Sequence, residues 1–199
     1  MTEKNSELDQ ATLRLTVGAC ASIYIIVVAC LSYSEFGTYV PIMWYMVFFF
    51  SVAAPLRMAI KRWPGHFFLR RIFAMALDYA SVAFAMIVGG EAALPVYAAL
   101  LWVTLGNGMR FGSRYLAAAT LIALATLVMI FLLTPFWRGQ PYMFLMLIVT
   151  TVVVPAYAHI LLTRTRIASE EAIAANQEKS RFLAQASHDL RQPIHSIGL

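Results

Sequence analysis

Near its end the chain reads Phe182-Leu183-Ala184-Gln185-Ala186-Ser187-His188-Asp189-Leu190-Arg191-Gln192-Pro193-Ile194, and the chemistry of this stretch lies in three residues. His188 offers an imidazole. Asp189 follows at once with a carboxylate that can hydrogen-bond the ring, fix its tautomer and take its proton as the ring attacks phosphorus. Pro193 removes a helix hydrogen bond and clashes with the carbonyl of Asp189, so a helix can bend beside the reacting residue. At about 100° per residue, Leu183, Leu190, Ile194 and Ile197 share one side of a helix and His188 points away from it. The histidine is thus offered to solvent while the apolar seam packs against a partner helix.

Such a helix needs something to position it. Hydrophobic residues make up 61% of the 199 positions and charged residues 13%, against roughly 45–50% and about 25% in soluble domains. The apolar residues come in long runs, which predicts an all-α, polytopic bundle of membrane-spanning helices. Six segments can be drawn, at 12–33, 40–60, 72–90, 93–109, 115–134 and 141–163. The fourth is marginal and ends in Gly106-Asn107-Gly108. The breaks carry Gly and Pro: Gly37 and Pro41, Pro64-Gly65, Gly89-Gly90 with Pro95, Gly112, and Pro135 with Gly139 and Pro141.

Basic residues set the orientation. Arg57, Lys61, Arg62, Arg70 and Arg71 fill one connection, Arg110 and Arg114 another, and Arg164 and Arg166 begin the tail. The alternate connections hold only Arg138. Positive loops belong in the cytoplasm. Six spans with both termini inside satisfy every loop, whereas five spans require the first segment not to cross. The net charge of +5 is therefore a topology signal and does not point to nucleic acid. The polar N-terminus is unlike a cleavable leader. The organisation expected is a juxtamembrane segment 1–11, a transmembrane domain 12–163, a signalling helix 164–180 and, at 181–199, the start of a dimerisation and phosphotransfer domain. Residues 164–179 are rich in Ala and Glu without Pro or Gly, which suits a helix leaving the membrane.

Polar groups inside apolar runs are expensive and need a reason. Asp78 is expected near the cytoplasmic side, where Arg110 or Arg114 could reach it as an interhelical ion pair. Asn107 lies between two glycines at a span end, where a tight turn or close helix approach is expected. His159 reads as a packed residue near the interface. No second His or Cys sits at ligand spacing, so no metal is expected. Cys20 and Cys30 read as small apolar packers. Trp44, Trp63, Trp102 and Trp137 should include interface anchors.

The string Lys179-Ser180-Arg181-Phe182-Leu183-Ala184 followed by Ser187-His188-Asp189-Leu190-Arg191-Gln192-Pro193 resembles the H-box of histidine kinases. The resemblance implies that His188 is the phosphoacceptor and Asp189 the general base. Asp189 stands where Glu is commoner. Gln192 stands where Thr or Asn usually supports dephosphorylation of the response regulator. The run Leu101-Trp102-Val103-Thr104-Leu105-Gly106-Asn107-Gly108-Met109-Arg110-Phe111-Gly112-Ser113-Arg114-Tyr115-Leu116 is similar to the membrane region of RpfC-type sensor kinases, the receptors for diffusible signal factor. The likeness extends to Leu77-Asp78-Tyr79, Pro135-Phe136-Trp137, Pro155 and Ala175-Asn176-Gln177. It implies a bacterial inner-membrane sensor with a cytoplasmic C-terminus that detects a cis-2-unsaturated fatty acid. In that family the segment before the first span is implicated in sensing, which maps onto Glu7, Gln10 and Arg14. Chemically, Arg14 could meet a fatty-acid carboxylate. Alternatively, Glu7 and Gln10 merely begin a helix and Arg14 is a topology charge.

The expected partners are a fatty-acid-like signal, membrane lipid, a second copy of the chain and a response regulator. ATP and Mg are expected for the full-length kinase and no cofactor for this stretch, which stops at Leu199 and would not act alone. The rival readings are a small transporter or channel with a helical tail, and a kinase-dead membrane scaffold that only receives phosphate.

Overall fold

The computed structural model describes residues 3–32, 36–63, 65 and 67–197. Among them every regular element is helical: α1 (Glu3–Leu31), α2 (Phe36–Arg62), α3 (Phe68–Gly89), a 3-10 helix (Gly90–Val96), α4 (Tyr97–Phe111), α5 (Ser113–Leu133), the short α6 (Pro135–Arg138) and α7 (Pro141–Ile197). In lipid a chain must satisfy its backbone internally, and apolar runs of this length do so only as helices. Five helical stretches are long and apolar enough to cross a membrane: 7–31, 36–62, 69–110, 113–133 and 141–183.

The third of these is folded in two. The Tyr79 hydroxyl lies 3.0 Å from Thr104 Oγ1 and donates to the Ala119 carbonyl at 3.1 Å. In one straight helix, residues 79 and 104 would stand about 37 Å apart. The reversal begins at Gly90, whose φ of 54° suits glycine alone. The turn packs against the bundle, with Ala93 and Val96 of the 3-10 helix buried. Six helical legs result.

The second sharp turn falls within the break the sequence suggested, while the glycines before it do not interrupt the helix. Gly106, Asn107 and Gly108 remain inside α4, and the chain turns at Gly112, with φ 94°. Gly108 serves contact instead: a Cβ there would sit 2.6 Å from the Leu116 Cβ, so α4 and α5 approach closely only with glycine. Pro41 likewise falls within α2. Cys20 and Cys30 face outward, contrary to their expected role as packers.

The chain divides into two units, Met1–Tyr157 and Ala158–Leu199. The core of the first unit gathers Ile25, Ile42, Met86, Leu100, Leu127, Ile130 and Leu147, all nearly or fully buried. At one end of this bundle, Glu7 of α1 accepts hydrogen bonds from Arg70 and Arg71 of α3, and Arg57 of α2 donates to Thr12 of α1 at 3.0 Å. The start of α1 therefore lies at the same end as the basic 57–71 connection. In the second unit, α7 continues as an exposed helix, with only Ala158 and Leu162 partly covered among the side chains described.

Candidate functional site

Three polar residues of α1, Glu7, Gln10 and Arg14, are spaced 3 and 4 apart and so form one stripe of the helix. Each finds a partner on another helix. Glu7 pairs with Arg70 and Arg71. Gln10 Nε2 donates to Asn107 Oδ1 at 3.1 Å, and Asn107 Nδ2 donates to the Val103 carbonyl at 2.8 Å. Arg14 meets Asp78 with two parallel bonds, Nε–Oδ1 at 2.5 Å and Nη2–Oδ2 at 2.8 Å. The Arg14 and Asp78 side chains are only 4% and 8% exposed. The planar guanidinium fork matches the carboxylate, which a lysine could not do.

The partner of Asp78 is thus Arg14 and not Arg110 or Arg114. The reason is geometric. The polar side chains of α1 reach α3 and α4, which brings the stripe level with Asp78, while Arg114 points outward at the start of α5. Nothing in the sequence ranks three arginines that are all near span ends. The same pairing changes the expected role of Arg14. A guanidinium already clamped on a carboxylate is not an open receptor for a second one.

The α1 stripe continues through Val17, Gly18, Ala21 and Ile25 along one wall of an apolar pocket among α1, α2, α3 and α4. From Arg14 to Ile25 this wall is about 16 Å long. Phe49 and Ile42 of α2, Val82 and Ala85 of α3, and Val103 of α4 close the other sides. Gln10, Arg14, Asp78 and Arg110 make one end polar, beside the half-exposed indole of Trp102. Such a chamber suits a molecule with a long apolar body and one polar end. The pocket walls were invisible in the sequence because Gly18, Ala21 and Ala85 have no chemistry of their own. The only local signal was the 3-and-4 spacing of the α1 polar residues.

Two further expectations change. His159 faces outward, because α7 has few neighbours after Tyr157. Trp137 is no interface anchor. It is fully buried and donates its indole N–H to the Met86 carbonyl at 3.0 Å. Trp44, Trp63 and Trp102 are the exposed tryptophans.

His188, Asp189, Gln192 and Pro193 all lie on the helical backbone of α7. Their side chains, and those of Leu190, Ile194 and Ile197, are outside what the structure describes. Leu183, the first residue of the expected seam, is 54% exposed in the single chain.

Neither a family model nor a solved structure matches the chain. Two curated proteins do, both named sensory/regulatory protein RpfC, from two strains of Xanthomonas campestris pv. campestris. Each is 40% identical over 146 residues, which is 73% of this chain and 20% of the relative. The chain therefore spans about a fifth of the length of the relatives it matches. With its apolar helices and its similarity to these sensory and regulatory proteins, it is a multi-pass membrane segment of the RpfC type.

Proposed function

We propose that this chain is the sensor part of a bacterial two-component histidine kinase that detects a cis-2-unsaturated fatty acid within the inner membrane and controls phosphorylation of His188. The observation that carries this reading is the passage of one helix, α7, from the apolar span at Pro141 through the His188-Asp189-Leu190-Arg191-Gln192-Pro193 motif. Signal occupancy among the spans would shift the membrane part of α7, and that shift would change how His188 is presented to the catalytic domain. The apolar pocket with one polar end supplies a place for a fatty acid.

ATP with Mg, bound by a domain beyond this stretch, would supply the phosphoryl group. His188 would attack the γ-phosphorus with one ring nitrogen as the bond to the bridging oxygen breaks and ADP leaves, while Asp189 holds the other nitrogen and takes its proton. Pro193 lets the helix bend so that the imidazole can alternate between partners. The seam of Leu183, Leu190, Ile194 and Ile197 would be buried by a second copy, since half of a helical bundle cannot bury it alone. The phosphoryl group then passes to an aspartate of a response regulator. The basic connections support a C-terminus in the cytoplasm, where these partners would be. A transporter would keep its intramembrane charges for a cargo path. Here Glu7 and Asp78 are both held by arginines.

The test is autophosphorylation of the full-length protein in nanodiscs with labelled ATP, with and without the fatty acid, beside His188→Gln. A ligand-dependent label that vanishes in the variant is expected. Label on His188 that ignores the fatty acid would remove the signal assignment and keep the kinase. No label on His188 would leave the scaffold or the transporter.

A further inference from the structure

The polar end of the pocket holds two guanidinium groups, and they are not equivalent. Arg14 has both edges of its fork on Asp78. Gln10 is bonded to Asn107. Arg110, on the last turn of α4, lines the same pocket and is half-buried, and among the described residues no acceptor is bonded to it. The carboxylate that acts on it most is that of Asp9, which faces outward. Gly106 lies one turn earlier on the same helix, and a Cβ there would stand in ordinary contact, 3.6 Å from Arg110 Nη1. A half-buried guanidinium with no bonded acceptor at the edge of an apolar chamber can take an anionic group as its partner.

We infer that Arg110 is the residue that reads the anionic head of the pocket's occupant, with the acyl body lying along the α1 wall from Val17 toward Ile25. This rests on the fatty-acid reading above and moves the head-group contact from the α1 segment, where Arg14 was the candidate, to the end of α4. Arg14 and Asp78 then form the fixed floor of the site. The ligand chemistry is a monoanionic amphiphile, and its source is either a free fatty acid or an anionic phospholipid. The geometry also sets direction: the head lies at the end of the bundle that carries Glu7, Arg70 and Arg71, and so at the leaflet facing the basic loops.

The experiment uses the full chain in nanodiscs and two probes, a cis-2-unsaturated fatty acid with a terminal diazirine and its uncharged methyl ester. Labelling is read by mass spectrometry as a half-saturating concentration. A lost charge-assisted hydrogen bond corresponds to about 10- to 100-fold. Arg110→Gln should weaken the acid by that factor and leave the ester unchanged, which also shows that the variant is folded. Arg110→Lys should recover most of the acid binding. Equal labelling of wild type and Arg110→Gln by the acid would overturn the Arg110 assignment and leave the fatty-acid reading standing. No labelling of the wild type by either probe would sink that reading and the inference with it. In a fourth arm, phosphatidylglycerol replaces phosphatidylcholine in the nanodisc. Exclusion of the acid from wild type by phosphatidylglycerol would support the anion site at Arg110 while assigning it to a phospholipid head.

Discussion

At the end of the bundle where α1 begins and α2 finishes, the helices are joined by ion pairs and amides: Glu7 with Arg70 and Arg71, Gln10 with Asn107, Arg14 with Asp78. At the opposite end they are joined by neutral donors on backbone carbonyls. Tyr24 donates to Ala92 at 2.7 Å and Trp137 to Met86 at 3.0 Å. Between the two, Tyr97 donates to Leu147 at 2.8 Å. Removing a neutral ring donor from a carbonyl costs one ordinary hydrogen bond, roughly 0.5–1.5 kcal/mol. A buried charge that loses its partner has nowhere to go. The charged end therefore specifies which helices meet and in what register, and the neutral end adds adhesion. The charged end is also where, on our proposal, an anionic ligand would be told from an uncharged one.

The largest effect expected is at Arg14. Arg14→Ala leaves Asp78 buried and unpaired, at a cost of about 3–5 kcal/mol, to be measured by reversible unfolding in mixed micelles. Replacing both partners by leucine should recover most of that loss, which would show that the pair gives register more than stability. Next comes Trp137→Phe at the neutral end, about 1–2 kcal/mol through a small void and one lost hydrogen bond. Glu7→Gln should cost about 1 kcal/mol in dilute buffer, and the gap from wild type should shrink in high salt because this pair lies near the bundle end. The cost of Trp137→Phe should not respond to salt. The smallest change is Tyr24→Phe, about 0.6 kcal/mol, the usual size of an interhelical hydrogen bond in a membrane. If Tyr24→Phe cost as much as Arg14→Ala, the contrast between the two ends would collapse.

Much of the fold was legible because it is local. Six apolar segments, the basic connections and the glycine and proline breaks follow from runs of residue types, and in lipid only helices satisfy such runs. The turn before α5 falls at Gly112, inside the expected break, whereas the tight turn allowed at Gly106-Asn107-Gly108 is not made. Glycines at 106 and 108 are as compatible with a helix packed against a neighbour as with a turn, and the short distance from Gly108 to Leu116 is a tertiary fact. Trp137 was one of four tryptophans expected to include interface anchors, and by type it could not be told from the other three; the reversal at Gly90 brings the α3 end over it. The polar stripe of α1 could be picked from its spacing, but its partners could not.

The sequence by itself determined the class of this protein and is the ground for the chemistry proposed for its tail. Hydropathy runs and the motif around His188 act over a few helical turns, and their physical meaning does not wait for distant residues. Only the tertiary structure decided that Asp78 takes Arg14, that Glu7 takes Arg70 and Arg71, and that Arg110 is left facing an apolar pocket. Those choices depend on which helices lie side by side and on the rotation of each. A stripe of charge spaced 3 and 4 says that a helix has a polar side, and packing alone says what meets it.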